Sequence, residues 1–185
     1  LNQGAPPSRP AVPSLAATMA PIISRFFRLA LGLGLRSAIG PFALDMYLPA
    51  LPTIGASLGA DIGAVQLSLT AFFIALGVGQ LFYGPLSDSM GRKPPLYWGL
   101  GLFALASVGC ALADDVQTLI GLRFLQGLGS AASSVIPRAV VRDLHTGHEA
   151  ARLMSLLMLV FSISPILAPL VGSEVIAFSS WRGVF

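Results

Sequence analysis

Three groups of residues in this chain have the types and spacing to do chemistry. Asp45 is the only acid well inside an apolar block, within Ser37-Ala-Ile-Gly40-Pro41-Phe-Ala-Leu-Asp45-Met46-Tyr47. A carboxyl group so placed is a candidate proton site, because its protonation balances lost hydration against any nearby cation. Arg123 is its basic counterpart, in Leu119-Ile-Gly-Leu-Arg123-Phe-Leu-Gln126-Gly127-Leu-Gly129. An arginine at the centre of a bilayer costs at least about 2.5–3.5 kcal/mol, so it needs a partner or a wet cavity; the alternative is that it snorkels to the surface. The third group is Gly84-Pro-Leu-Ser-Asp88-Ser-Met-Gly91-Arg92-Lys93-Pro94. Asp88 and Arg92 are four apart and meet if the turn is helical. Gly91 gives the backbone freedom for a tight turn, and Gly84 lets a neighbouring helix approach closely.

Other chemistry finds no support. Cys110 is the only cysteine, so internal disulfides and cysteine-cluster metal sites are excluded. His145 and His148 have helical spacing but no third ligand, and no metal site is expected. No paired acids or histidine cluster lie within the apolar blocks, so the chain is not expected to be an enzyme.

The elements that hold these groups follow from composition. Of 185 residues, 55% are hydrophobic and 10% charged, with a mean hydropathy of +0.80; soluble domains run at about 45–50% apolar and about 25% charged. The eleven basic residues and net charge of +3 are spread thinly between apolar blocks, unlike the dense patches that bind nucleic acid. Five blocks are long enough for helices crossing a hydrocarbon layer about 30 Å thick: about 31–51, 65–86, 96–113, 118–136 and 153–178. The fold class is therefore all-α and polytopic. Residues 1–28, rich in Pro, Ala and Ser, read as a disordered tail, and residues 29–185 as the membrane region. Met19 is the expected natural start, and Trp181-Arg-Gly-Val-Phe185 reads as the beginning of a sixth span.

Charge sets the orientation. Arg9, Arg25, Arg28, Arg92, Lys93, Arg138, Arg142 and Arg152 fall on one side, and Arg182 with Asp61, Asp114 and Asp115 on the other. Basic loops stay cytoplasmic, so the N-terminus is expected there. Arg36 should reach back to the inner headgroups. Glu174 reads as an interfacial residue or one that alters substrate choice, and Phe72, Phe73, Phe82 and Tyr83 as lipid or helix contacts. Counted from the outer block ends, Asp45 and Arg123 each lie about six or seven residues in, roughly 10 Å.

The Gly84 to Pro94 spacing resembles the signature between spans two and three of the major facilitator superfamily, departing at Ser89, where the family often has Arg. The Arg123, Gln126, Gly127, Gly129 pattern resembles its fourth-span signature. Ser164-Pro165-Ile-Leu-Ala168-Pro169-Leu-Val-Gly172-Ser173 is similar to the fifth-span signature of its proton-coupled antiporters, with Ala168 and Ser173 where glycines are usual; a purely structural kink at the two prolines is the other reading. Span one through Tyr47-Leu-Pro49-Ala-Leu-Pro52, with Gln66-Leu-Ser-Leu-Thr70, Arg138-Ala-Val-Val-Arg142-Asp143 and Ser155-Leu-Leu-Met-Leu, resembles the Bcr/CflA drug-resistance transporters.

That resemblance, covering about residues 31–185, implies the first part of an N-terminal six-helix lobe facing a C-terminal lobe that is missing from this chain. It implies a multi-pass protein of the inner membrane that exports drugs or other small molecules, using the proton gradient rather than a cofactor. Asp45, Arg123, Tyr47 and Gln126 would line the proton and substrate cavity, with Arg123 tuning Asp45 or holding water. Gly84, Asp88, Gly91, Arg92 and Lys93 would govern closure on the cytoplasmic side, Gly127 and Gly129 the span-four packing, and Pro165, Pro169 and Gly172 the span-five bend. The partners implied are a small-molecule substrate and membrane lipid. The alternative is a non-transporting fragment, or half-transporter module, that requires a second lobe. For Asp45 the alternative is a packing carboxylate at a helix end.

Overall fold

A computed structural model describes residues 32–185. The tail 1–28, with Met19, Arg9, Arg25 and Arg28, lies outside the described residues. What is described is helical, with no strand among the described residues. The elements are α1 over 32–45, a 3-10 turn Leu48–Ala50, α2 Leu51–Leu58, α3 Ile62–Met90, α4 Lys93–Ala111, α5 Val116–Leu144, α6 Gly147–Phe178 and a closing 3-10 turn Trp181–Val184.

Local chemistry sets the boundaries. Asp61 caps α3 by accepting from the Gly63 amide at 2.9 Å. Asp115 caps α5, accepting from the Thr118 amide at 2.8 Å and its hydroxyl at 2.7 Å; such bonds satisfy amides that have no partner inside the helix. They also hold the Asp115 carboxyl below the usual carboxylate range. Gly91 ends α3 at φ +84°, where a side chain would be strained.

Four helices (α3 to α6) are long and apolar enough to cross a membrane. They run past the apolar blocks, α5 to Leu144 rather than Ile136 and α6 from Gly147 rather than Leu153, because residues such as Arg138 and Arg152 extend the same hydrogen-bonded helices. The first block behaves differently. Its helix stops at Asp45, turns at Met46 and Tyr47, and resumes as α2. Pro49 is the reason: a proline has no N–H to give the carbonyl four residues back, which is that of Asp45, and its ring crowds that carbonyl. The expected single helix over 31–51 is thus an interrupted one continuing to Leu58.

α5 is the centre of the bundle, the most buried of the four long helices, and packs on α3 and α4. Glycines permit this. A side chain at Gly127 would strike the Phe72 carbonyl of α3, and one at Gly129 the backbone of Phe103 and Gly99 in α4. At the far end, Arg182 clasps α4. It donates to the Ala113 carbonyl at 3.0 Å, pairs with Asp114 at 3.0 Å and stacks 4.5 Å from the Trp181 ring.

Candidate functional site: a cavity with an acid and a base

A cavity of about 400 Å³ opens between α1, α3, α5 and α6. Gly40, Pro41, Leu44 and Asp45 line it from α1, and Phe72, Phe73, Leu76 and Gln80 from α3. Ser130, Ser134 and Arg138 line it from α5, with Phe161 and Pro165 from α6. The walls are mostly apolar. Asp45 therefore faces a space that could admit a small amphiphile, and no ion pair engages it among the described residues.

The expected companions of Asp45 lie elsewhere. Arg123 is fully buried, so it does not snorkel. Its Nη1 donates to Gln126 Oε1 at 2.7 Å, and Gln126 Nε2 donates to Ser107 Oγ at 2.7 Å. The guanidinium carbon lies 3.9 Å from the Tyr47 ring centroid, 5.0 Å from Phe72 and 5.4 Å from Phe185. Tyr47, Arg123 and Gln126 thus form one packed cluster, whereas Asp45 lines the cavity without contacting Arg123. Counting inward from Leu51 placed Asp45 near an outer end; because α2 runs on to Leu58, Asp45 sits at the interruption, thirteen positions short of the end of that segment. A turn of the chain at Met46 and Tyr47 sends neighbouring side chains to different places, which sequence spacing alone did not reveal.

A different arginine, Arg138, shares the cavity with Asp45. Read from sequence as a loop residue, it belongs to α5, lines the cavity and stacks 5.5 Å from the Phe161 ring. The signal for it is a basic residue between apolar neighbours, Val135-Ile-Pro137 before it and Ala139-Val-Val141 after. Phe72 is the helix contact expected of it, buried against Arg123 of α5, and with Phe73 it also forms cavity wall.

The motif between α3 and α4 is assembled as its spacing suggested. Arg92 pairs with Asp88, donates from Nη1 to Ser87 Oγ at 2.7 Å, and pairs from Nε with Asp143 Oδ2 at 2.7 Å. These bonds, Asp143 first, raise its already high proton affinity. Asp143 was not among the expected members; α5 brings it there. Lys93 is exposed at the start of α4. Gly84 meets nothing a methyl group would touch, so it does not serve a close helix approach among the described residues. In α6, Gly172 lies against the backbone of Met46, at the interruption after α1, and Pro165 lines the cavity. Pro169 stays within a continuous helix. Among the described residues no group of three potential metal ligands exists.

This arrangement, long apolar helices around a central α5 with the charged turn between α3 and α4, is that of a polytopic membrane transporter lobe. Residues 15–185 match the family model of the Major Facilitator Superfamily, and the chain belongs to that family. It is 44% identical over 162 residues to the uncharacterized MFS-type transporter YdgK of Bacillus subtilis, covering 85% of this chain and 40% of that protein. It is 37% identical over 159 residues to the bicyclomycin resistance protein homolog of Haemophilus influenzae, covering 86% and 40%. Against multidrug resistance protein D of Escherichia coli it is 35% identical over 161 residues, covering 87% and 41%. The resemblance to drug-resistance transporters of the Bcr/CflA type accords with these relatives. The chain spans about two fifths of the length of the curated relatives it matches.

Proposed function

We propose that the complete protein exports small amphiphilic molecules, drugs among them, across the bacterial inner membrane in exchange for protons, with its N-terminus cytoplasmic. The observation that carries this reading is the carboxyl group of Asp45 facing a cavity of about 400 Å³ between four helices. Membership of the transporter family and relatives named for resistance to bicyclomycin and to multiple drugs support the substrate class. The excess of basic residues in alternate loops supports the orientation.

The mechanism uses competition. A proton on Asp45 neutralises the cavity acid; the ionised form instead attracts a cation or accepts a hydrogen bond from substrate. Binding of proton and substrate would then oppose each other, which exchange requires. Arg138 on α5 also lines the cavity, but it stands well over a Debye length from Asp45 along the bundle and acts on substrate rather than on the acid. Arg123 acts indirectly, by fixing Tyr47 at the turn that follows Asp45. Asp88, Arg92 and Asp143 join the ends of α3 and α5 on the cytoplasmic side and would bias lobe closure. A second lobe would complete the cavity wall, as in alternating access by rocking of repeats.

The test is drug uptake by everted vesicles carrying the complete protein, with and without an imposed pH gradient. Asp45→Asn should abolish gradient-driven uptake while leaving the protein inserted. Full gradient dependence in that variant would overturn the proton role.

A further inference from the structure

The cavity carries a charge toward each end, with mostly apolar wall between them. Contacts along the two antiparallel helices give its length: Gly40 of α1 meets Ser130 of α5, and Tyr47 meets Arg123. From the Gly40–Ser130 contact, Asp45 lies five residues toward one end and Arg138 eight residues toward the other. At 1.5 Å per residue their backbones are therefore separated by roughly 20 Å along the bundle. Long side chains shorten that gap, leaving the span of a drug-sized molecule. Arg138 makes no hydrogen bond or ion pair among the described residues; its guanidinium carbon lies 5.5 Å from the Phe161 ring centroid. Between the two charges lies Ser130, whose hydroxyl is buried against Gly40 at the α1–α5 contact.

We infer that Arg138 is a substrate-selecting residue that holds an anionic or strongly accepting group, a carboxylate above all, of an elongated amphiphile whose opposite end lies toward Asp45. The inference rests on the reading of this cavity as the substrate path. A guanidinium presents several donors in a fixed planar fork that matches a carboxylate bidentately. The contact with the Phe161 ring leaves the donors of that fork unused. The preferred substrates are thus zwitterions or dipolar molecules with an aromatic or aliphatic body, rather than simple lipophilic cations.

The experiment compares binding of two probes to the complete protein in nanodiscs, followed by probe fluorescence: a quinolone carrying a carboxylate and an amine at opposite ends, and its methyl ester. The wild type should bind the acid about tenfold more tightly than the ester, the scale of one charge-assisted hydrogen bond. Arg138→Gln should collapse that preference to near unity, and Arg138→Lys should leave an intermediate value. Absence of a preference in the wild type, or a preference unchanged in Arg138→Gln, would overturn the inference. If Arg138→Gln fails to insert, the Lys variant decides, because an unchanged tenfold preference there shows that the planar fork is not used. The outcome is separable from the proton reading: loss of gradient-driven uptake in Asp45→Asn says nothing of the acid-to-ester ratio, and the ratio says nothing of coupling.

Discussion

The guanidinium of Arg123 in α5 lies face-on to the Tyr47 ring, 3.9 Å from its centroid, tying the turn after α1 to the centre of the bundle. Tyr47 is held from the other side as well. Its hydroxyl is 2.7 Å from Ser68 Oγ, and because Ser68 spends its own proton on the Val65 carbonyl at 2.6 Å, Tyr47 is the donor.

Tyr47→Phe therefore keeps the stacking and loses one buried hydrogen bond, for a stability loss of about 1 kcal/mol. Tyr47→Ala loses the ring too and should cost about 3–5 kcal/mol. Thermal unfolding in detergent measures both. If burial of the ring contributed little, the two variants would unfold at nearly the same temperature.

Gly127 and Gly84 make a paired prediction. A methyl at Gly127 meets the Phe72 carbonyl, a backbone atom that cannot swing aside, so Gly127→Ala should destabilise the lobe by about 1–3 kcal/mol. Gly84 has nothing within reach of such a methyl, and Gly84→Ala should leave stability unchanged or slightly raised, since alanine favours helix. Equal melting losses in the two variants would contradict the packing described for α5.

The Arg92–Asp143 pair joins α5 to the turn before α4 at 2.7 Å, but Asp143 is half exposed. Asp143→Asn should then cost only about 0.2–1 kcal/mol, and less in high salt. Because its partners raise the proton affinity of Arg92, the Arg92 contribution is fully present below the ordinary arginine range and is lost only as pH rises through the still higher folded value. Arg92 thus stays charged across physiological pH, and alkaline titration up to pH 10 should leave the pair intact. Asp143→Asn should nonetheless shift transport rate more than stability, which uptake assays and unfolding read separately.

Much of this was legible in advance from physics acting locally. Apolar blocks of bilayer length give helices wherever they occur, and Asp88 and Arg92 meet because a helical turn brings residues four apart together. The interruption after Asp45 was legible in principle, since Pro49 forbids the bond to its carbonyl. Its consequence was not, because the direction in which Tyr47 leaves that turn depends on Arg123, more than seventy residues away in sequence. The same limit hid Arg138: the apolar block ends at Ile136, before Pro137 and Arg138, whereas hydrogen bonding carries the helix on until Leu144. Asp143 reaches Arg92 only through the rigid length of α5, which no spacing rule contains.

The Arg182 clasp bears on the order of assembly. Its acceptors, the Ala113 carbonyl and Asp114 at the end of α4, emerge from the ribosome about seventy residues before the arginine itself. Between them both α5 and α6 must be threaded through the bilayer. The clasp can form only after those insertions, so water must serve the α4 terminus until then, and the arginine fastens helices whose main packing on α5 is available before it is made.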